Sequence, residues 1–319
     1  MDVDLAVLRA RYGELTPLDA APDSARFGGA LPDGTPVVVS ALHGRVRAAV
    51  GDEEAFLHHM QRVASLRHEE INRLVSWGRD DGVLHCGYVR REAREVDPGA
   101  YSSVTVADMG ARLARALHAA HRSGMTHGAI ATQRVHVTAD GAPRLLEFGL
   151  VPALIAGGMS PAAAYEELCD VQYLSPEQQA GEAPTPLCDV YSLGATLYEL
   201  LTGKAPFGGR TTSYVMATVL PEEPTSGADK RTTADVVIHA LLRAIELRPQ
   251  DRWPTARALA DALDAVSAPT PADSGRRATA GHRGLRARFA AILSGAWFRP
   301  DGRGSDLEES PGSTGQTAR

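Results

Sequence analysis

No run of about 18 consecutive apolar residues occurs in this chain, so no segment is expected to cross a membrane as a helix. The N-terminal stretch carries charges throughout and has no apolar core, so no secretory leader is expected either. Cysteine is scarce. Cys86, Cys169 and Cys188 have neither the paired pattern of a disulfide framework nor the spacing of a metal site. That usage suits a reducing compartment and predicts a cytoplasmic protein. A basic excess is missing as well: the net charge of −6 argues against a bulk nucleic-acid binder and against generic attachment to anionic lipid. What is present is ordinary for a folded chain. Of its 319 residues, 44% are hydrophobic and 23% charged, the values of a globular protein. That length gives about two domains and burial of roughly 75% of the unfolded surface.

The pattern changes twice along the chain. Residues 1–89 read as β-rich. Pro36 to Leu42 is an apolar, β-branched run after the turn signal Asp33-Gly34, hence a strand, and Val83 to Val89 is another. Between them, Phe56, Leu57, Met60, Val63 and Leu66 recur at helical spacing. Residues 92–104 read as a connection. From 106 to 266 the pattern is mostly helical, with helices expected over Met109–Arg122, Asp189–Thr202, Ala234–Glu246 and Thr255–Val266. Thr255, after Pro254, is an N-cap candidate. From 268 onward Ser, Pro, Gly and Thr dominate, which reads as a flexible tail. Within it, residues 283–298 put Leu285, Phe289, Ile292, Leu293 and Trp297 on one helical stripe flanked by arginines. Three uses stay open for that stripe: docking on the chain's own helical part, docking on an unidentified protein partner, or, less favoured, contact with a membrane surface.

The most informative stretch is Met125 to Gly149, MTHGAIATQRVHVTADGAPRLLEFG. It resembles the catalytic segment of bacterial serine/threonine protein kinases. That family writes His-Arg-Asp, a Lys two residues on, an Asn three further, and an Asp-Phe-Gly twenty residues after the His. The spacing from His127 to Glu147 is kept. The resemblance continues through Tyr173-Leu174-Ser175-Pro176-Glu177-Gln178, Cys188-Asp189-Val190-Tyr191-Ser192-Leu193-Gly194, Tyr198 to Phe207, and Arg248-Pro249-Gln250-Asp251-Arg252-Trp253. It implies an α+β, two-lobed fold: a small β-rich lobe over residues 1–89, a large helical lobe over 90–267, and the tail over 268–319.

The chemistry-bearing letters differ. Arg-Asp is Gly128-Ala129, the Lys is Ala131, the Asn is Arg134, and Asp-Phe-Gly is Glu147-Phe148-Gly149. Ala129 cannot serve as the base that accepts a substrate proton. Arg134 carries a permanent positive charge at a metal-ligand place, though it can instead meet a phosphate. Glu147 is the remnant metal ligand, displaced by an extra methylene that magnesium tolerates poorly. The glycine-rich phosphate loop is replaced by Asp19, Ala21 and Ser24. Ser40 stands for the phosphate-binding lysine, and His59 for its carboxylate partner. Losing both members leaves no orphaned charge. Around the adenine place, Val38 adds bulk, His136 replaces an apolar residue, and Cys86 precedes the hinge Gly87-Tyr88-Val89 as a core filler.

Scaffold positions are retained. His127 and Phe148 resemble stacked residues of a structural spine, with Val63 and Leu74 at its other places. The resemblance implies that Asp189 accepts hydrogen bonds from the catalytic-loop backbone and that Glu177 and Arg252 form the family's ion pair. Fold signature without reaction signature implies a pseudokinase, acting as a regulatory or interaction scaffold. No cofactor is expected; weak ATP binding without normal magnesium coordination stays open. The alternative is an atypical ATP-binding serine/threonine kinase or a nucleotidyl transferase that leans on Glu147.

Overall fold

Alternation decides the first sheet. In β3 (Pro36–Leu42), Val37, Val39 and Ala41 have no exposed surface, whereas Val38 and Ser40 point to the opposite face. Asp33 Oδ1 accepts from the Thr35 amide at 2.9 Å, and Gly34 adopts φ +84°, so the turn closes β2 (Ser24–Ala30) onto β3 in the register Arg26↔Ser40. With β1 (Thr16–Ala20), β4 (Leu74–Asp80) and β5 (Val83–Val89), the antiparallel order is β1-β2-β3-β5-β4.

A helix precedes this sheet where the sequence reading placed none. α1 (Leu5–Tyr12) buries Leu8 and Tyr12 against Phe27, Val37 and Val39. Its end is anchored by hydrogen bonds. Tyr12 Oη lies 3.0 Å from Ser76 Oγ and 2.7 Å from His85 Nδ1, and Arg11 pairs with Asp80 at 2.7 Å. A short α2 (Gly44–Ala48) follows β3. α3 (Glu53–Ala64) starts at Asp52, whose carboxylate accepts from the Ala55 amide, and buries Phe56, Met60 and Val63 along one stripe.

The structure is a computed structural model and describes residues 5–20, 24–42, 44–206 and 233–267. All of these belong to one unit, Met1–Arg210 with Glu222–Pro271. The tail stripe Leu285, Phe289, Ile292, Leu293 and Trp297 lies outside the described residues, as do Ala21 and the segment 207–232.

The larger lobe is built on α4 (Ser103–Arg122), α8 (Pro186–Thr202), α9 (Thr233–Ala244) and α10 (Ala256–Ser267). α4 starts six residues earlier than the apolar pattern indicates, because the Ser102 hydroxyl caps it by accepting from the Thr105 amide. Small residues let the helices approach. A Cβ on Gly110 would fall 2.7 Å from Leu197 and 2.8 Å from Leu263. The stretch 92–104 is not simply a connection: β6 (Ala93–Glu95) joins β7 (Val135–Thr138) and β8 (Pro143–Leu145) in a three-stranded sheet. β6 is held through its backbone, so its side chains carry no strand pattern. After Gly149 come α5 (Leu150–Ala156) and α6 (Pro161–Leu168), also unforeseen. A short α7 (Pro176–Gln179) is closed by a capping box between Ser175 and Gln178.

Candidate functional site: the cleft between the two sheets

The face of β3 that carries Val38 and Ser40 looks across to β7 and β8. Between them lies a cavity of about 180 Å³. Val38, Ser40, Tyr88, His136 and Glu147 all line it, so the structure brings these separately numbered positions together. Cys86 does not line it. It is fully buried and pairs with Ser40 across β3 and β5. His59 does not line it either. Its Nε2 is buried without a hydrogen-bond partner, and burial pushes its pKa down to about 4. The Ser40 hydroxyl is likewise buried and unpartnered, so Ser40 and His59 form no hydrogen bond with each other.

α3 is therefore held by other means. Val63 packs on Gly149, the Asp52 amide donates to the Gly157 carbonyl at 2.8 Å, and Arg45 of α2 pairs with Glu167 of α6 at 2.8 Å. α5 and α6 thus tie the segment after Phe148-Gly149 to the small lobe.

Glu147 sits at the centre of the cleft with φ +55°, a left-handed conformation that a long side chain adopts only when its surroundings impose it. Two guanidinium groups do so. Arg26 Nη1 lies 3.5 Å from Glu147 Oε1, and Arg134 Nε donates to Oε2 at 3.0 Å. Arg134 Nη2 also donates to the Leu168 carbonyl at 2.8 Å. Ala129 and Ala131 are buried, with no polar side-chain atom to contribute.

The loop around them is fastened from below. Asp189 Oδ2 accepts from the His127 amide at 2.9 Å, and its Oδ1 accepts from the Gly128 amide at 2.8 Å. His121 Nε2 lies 2.8 Å from the same carboxylate. Gly128 has φ +78°, and its carbonyl accepts from Gln178 Nε2. The His127 ring meets Phe148 edge-on at 5.2 Å between centroids. Its Nδ1 accepts from the Ala129 amide, which assigns the proton to Nε2, facing the Leu146 carbonyl at 3.0 Å. Leu74 is buried in β4. Arg252 makes two contacts with Glu177, at 2.6 and 2.8 Å, and donates to the carbonyls of Leu187, Glu246 and Leu247. Burial pushes the Glu177 pKa up, but the hydrogen bonds from Arg252, from the Glu177 backbone and from Cys188, with the Arg252 charge, together outweigh it and hold the carboxyl below its usual range.

Four arginines in the cleft wall were not singled out from the sequence: Arg26, Arg90, Arg91 and Arg144. Arg144 stands opposite His136 across β7 and β8.

The buried histidines predict an acid sensitivity. Burial pushes His127 down to about 4, as it does His59, and it lowers His85 too, against the raising effect of Asp80. An unfolded histidine binds its proton below about pH 6.5. These folded ones stay neutral until lower pH, so the unfolded state gains protons first and stability falls as pH drops from about 6.5 toward about 4. Urea unfolding between about pH 7.5 and about pH 4.5 should show that decline. A flat profile across this window would contradict the buried neutral state.

Residues 37–262 match the family model described as the protein kinase domain. A serine/threonine-protein kinase, PknB of Mycobacterium tuberculosis, is 30% identical over 208 residues, which is 63% of this chain and 33% of that protein. PknB of Mycobacterium leprae is 33% identical over 143 residues, covering 44% of this chain and 23% of the relative. The chain thus spans about a third of the length of the curated relatives it matches. The crystal structure of the Mycobacterium tuberculosis PknI kinase domain superposes with a TM-score of 0.58 at 19% identity, over 80% of this chain and 97% of that domain. With a β-rich lobe, a helical lobe and a family match that runs from β3 through most of α10, the chain belongs to the protein kinase domain family.

Proposed function

We propose that this protein is a pseudokinase, a kinase-fold module that works by protein interaction or regulation and transfers no phosphoryl group at a useful rate. One observation carries this reading: the carboxylate of Glu147 is paired with two arginines. Phosphoryl transfer rests on positioning and on neutralising charge with metal ions. Here the donor set does not fit magnesium. Glu147 is engaged on both oxygens, Arg134 is a cation, and Ala129 offers neither a ligand nor a base. Loss of a general base alone typically costs about 10²–10⁴ in rate. The retained contacts are those of the scaffold: Asp189 to the loop backbone, Glu177 to Arg252, and His127 to Phe148. The three cysteines form no disulfide, in keeping with a cytoplasmic setting. No described helix is long and apolar enough to cross a membrane.

Incubation with labelled ATP, Mg²⁺ or Mn²⁺ and generic protein substrates is expected to give no incorporation above a heat-killed control. Incorporation that disappears in Glu147→Ala would overturn this reading in favour of an atypical kinase or nucleotidyl transferase.

A further inference from the structure

The face of the five-stranded sheet that points away from the cleft has a slot shaped for one tyrosine ring. Two glycines make the room. A Cβ on Gly29 of β2 would fall 2.9 Å from the Tyr12 carbonyl oxygen and 3.2 Å from Tyr12 Cβ, and one on Gly87 of β5 would fall 3.2 Å from Tyr12 Cε1. At the bottom of the slot Tyr12 Oη meets Ser76 Oγ and His85 Nδ1, at 3.0 and 2.7 Å, and the ring stands edge-on to His85 at 5.4 Å between centroids. His85 has no exposed surface, and its Nε2 lies 3.0 Å from Asp80 Oδ2. Arg11 donates to both oxygens of that carboxylate, at 2.7 and 3.0 Å.

The protons in this chain of contacts are ordered. The Arg11 hydrogen bond holds the Asp80 carboxyl below its usual range, so it is ionised and only accepts. His85 therefore carries its hydrogen on Nε2, and its Nδ1 accepts from the Tyr12 hydroxyl. A second proton on His85 must enter at Nδ1, where Tyr12 already donates. Tyr12 can turn its hydrogen toward Ser76, but the new charge is cut off from water and shares Asp80 with Arg11. Asp80 and Arg11 are the charges that act on His85, and burial lowers its pKa more than Asp80 raises it. The other neighbours bring no anion: β3 presents Ala41, Arg47 of α2 lies over Gly82 in the β4–β5 turn, and Cys86 alternates to the opposite face.

α1 is attached in a way that lets it come away. It is eight residues long, and of its described side chains Leu8 and Tyr12 are buried. Gly13 follows at φ +65°, with open space where a Cβ would stand, so the chain can turn there.

We propose that α1 is a proton-sensitive cover: Tyr12 holds it in the Gly29–Gly87 slot while His85 is neutral, and protonation of His85 swings it out about Gly13, baring the apolar face of Phe27, Val37 and Val39. The opening is local. It gives the small lobe a surface whose exposure follows pH, whatever the cleft binds and whether or not the chain transfers phosphate.

The test is amide exchange of the full chain at about pH 7.5 and about pH 5.5, corrected for the intrinsic effect of pH. A released His85 titrates near its ordinary value of about 6.5, so the opening of α1 should rise by up to about tenfold over this range. The α1 amides should stay far less protected than those of α4, which marks their opening as separate from global unfolding. His85→Gln keeps a polar side chain that takes no proton, and it should make α1 exchange independent of pH. Tyr12→Phe should speed α1 exchange at about pH 7.5 and leave its rise toward about pH 5.5 in place. The proposal fails if α1 exchange is flat across the range, if α1 is as well protected as α4, or if the rise survives in His85→Gln. The first two outcomes are read in the unaltered chain, so they decide the matter where a variant does not fold.

Discussion

Replacing Arg252 with alanine is expected to destabilise the protein by about 3–5 kcal/mol, the cost of removing one partner of a buried charge pair. The Arg252 side chain has no exposed surface. It neutralises Glu177 through two short contacts, donates to three backbone carbonyls, and rests 4.9 Å from the Tyr191 ring. Truncation would strand the Glu177 carboxylate, only 11% exposed, and leave those carbonyls unpaired. Urea unfolding at neutral pH measures the effect. Arg252→Lys should recover little, because one ammonium cannot reproduce the forked geometry. A loss below about 1 kcal/mol would mean that the pair behaves like a surface ion pair.

Gly149→Ala is expected to be of similar severity for a different reason. Gly149 has φ +75°, and a Cβ there would fall 2.5 Å from Val63 Cγ2. The left-handed backbone costs an L-residue about 1–2 kcal/mol, and overpacking a tight contact adds about 1–3 kcal/mol. Removing the obstructing methyls separates the two. Val63→Ala should be destabilising alone, yet the double variant should lose less than the sum of the singles, by about 1 kcal/mol or more. Strict additivity would show that the contact between the start of α5 and α3 is loose. That contact matters because α3 has no Ser40–His59 bond to hold it.

The parts of this molecule that were readable from the sequence are those where one residue type has one use. The spacing of His127 to Glu147, the Asp189 motif and the pairing of Glu177 with Arg252 depend on chain order and on side chains with few substitutes. β3 and β5 were readable because branched apolar runs between turn residues leave little choice. Other features depend on what lies across space. α1 has a weak apolar stripe and owes its place to Tyr12 reaching Ser76 and His85, far along the chain. β6 is paired through its backbone, which no side-chain pattern reports. α5 and α6 follow Phe148-Gly149, and they are stabilised by the packing of α5 on α3 and by the Ser160 cap of α6. Arg26 was within reach. Asp33-Gly34 fixes the β2–β3 turn, and counting outward equally from Asp33 places Arg26 opposite Ser40.

The family match begins at residue 37, the second residue of β3. A chain trimmed to that boundary would lose α1, β1 and β2 at once. Val37, Val39 and Ala41, now without exposed surface, would face water, and the freed edge of β3 would offer its amides and carbonyls to the next molecule. Such a fragment would self-associate. Residues 5–20 and 24–36 thus cover and pair the sheet, and any shortened version of this protein made for solution work needs to keep them.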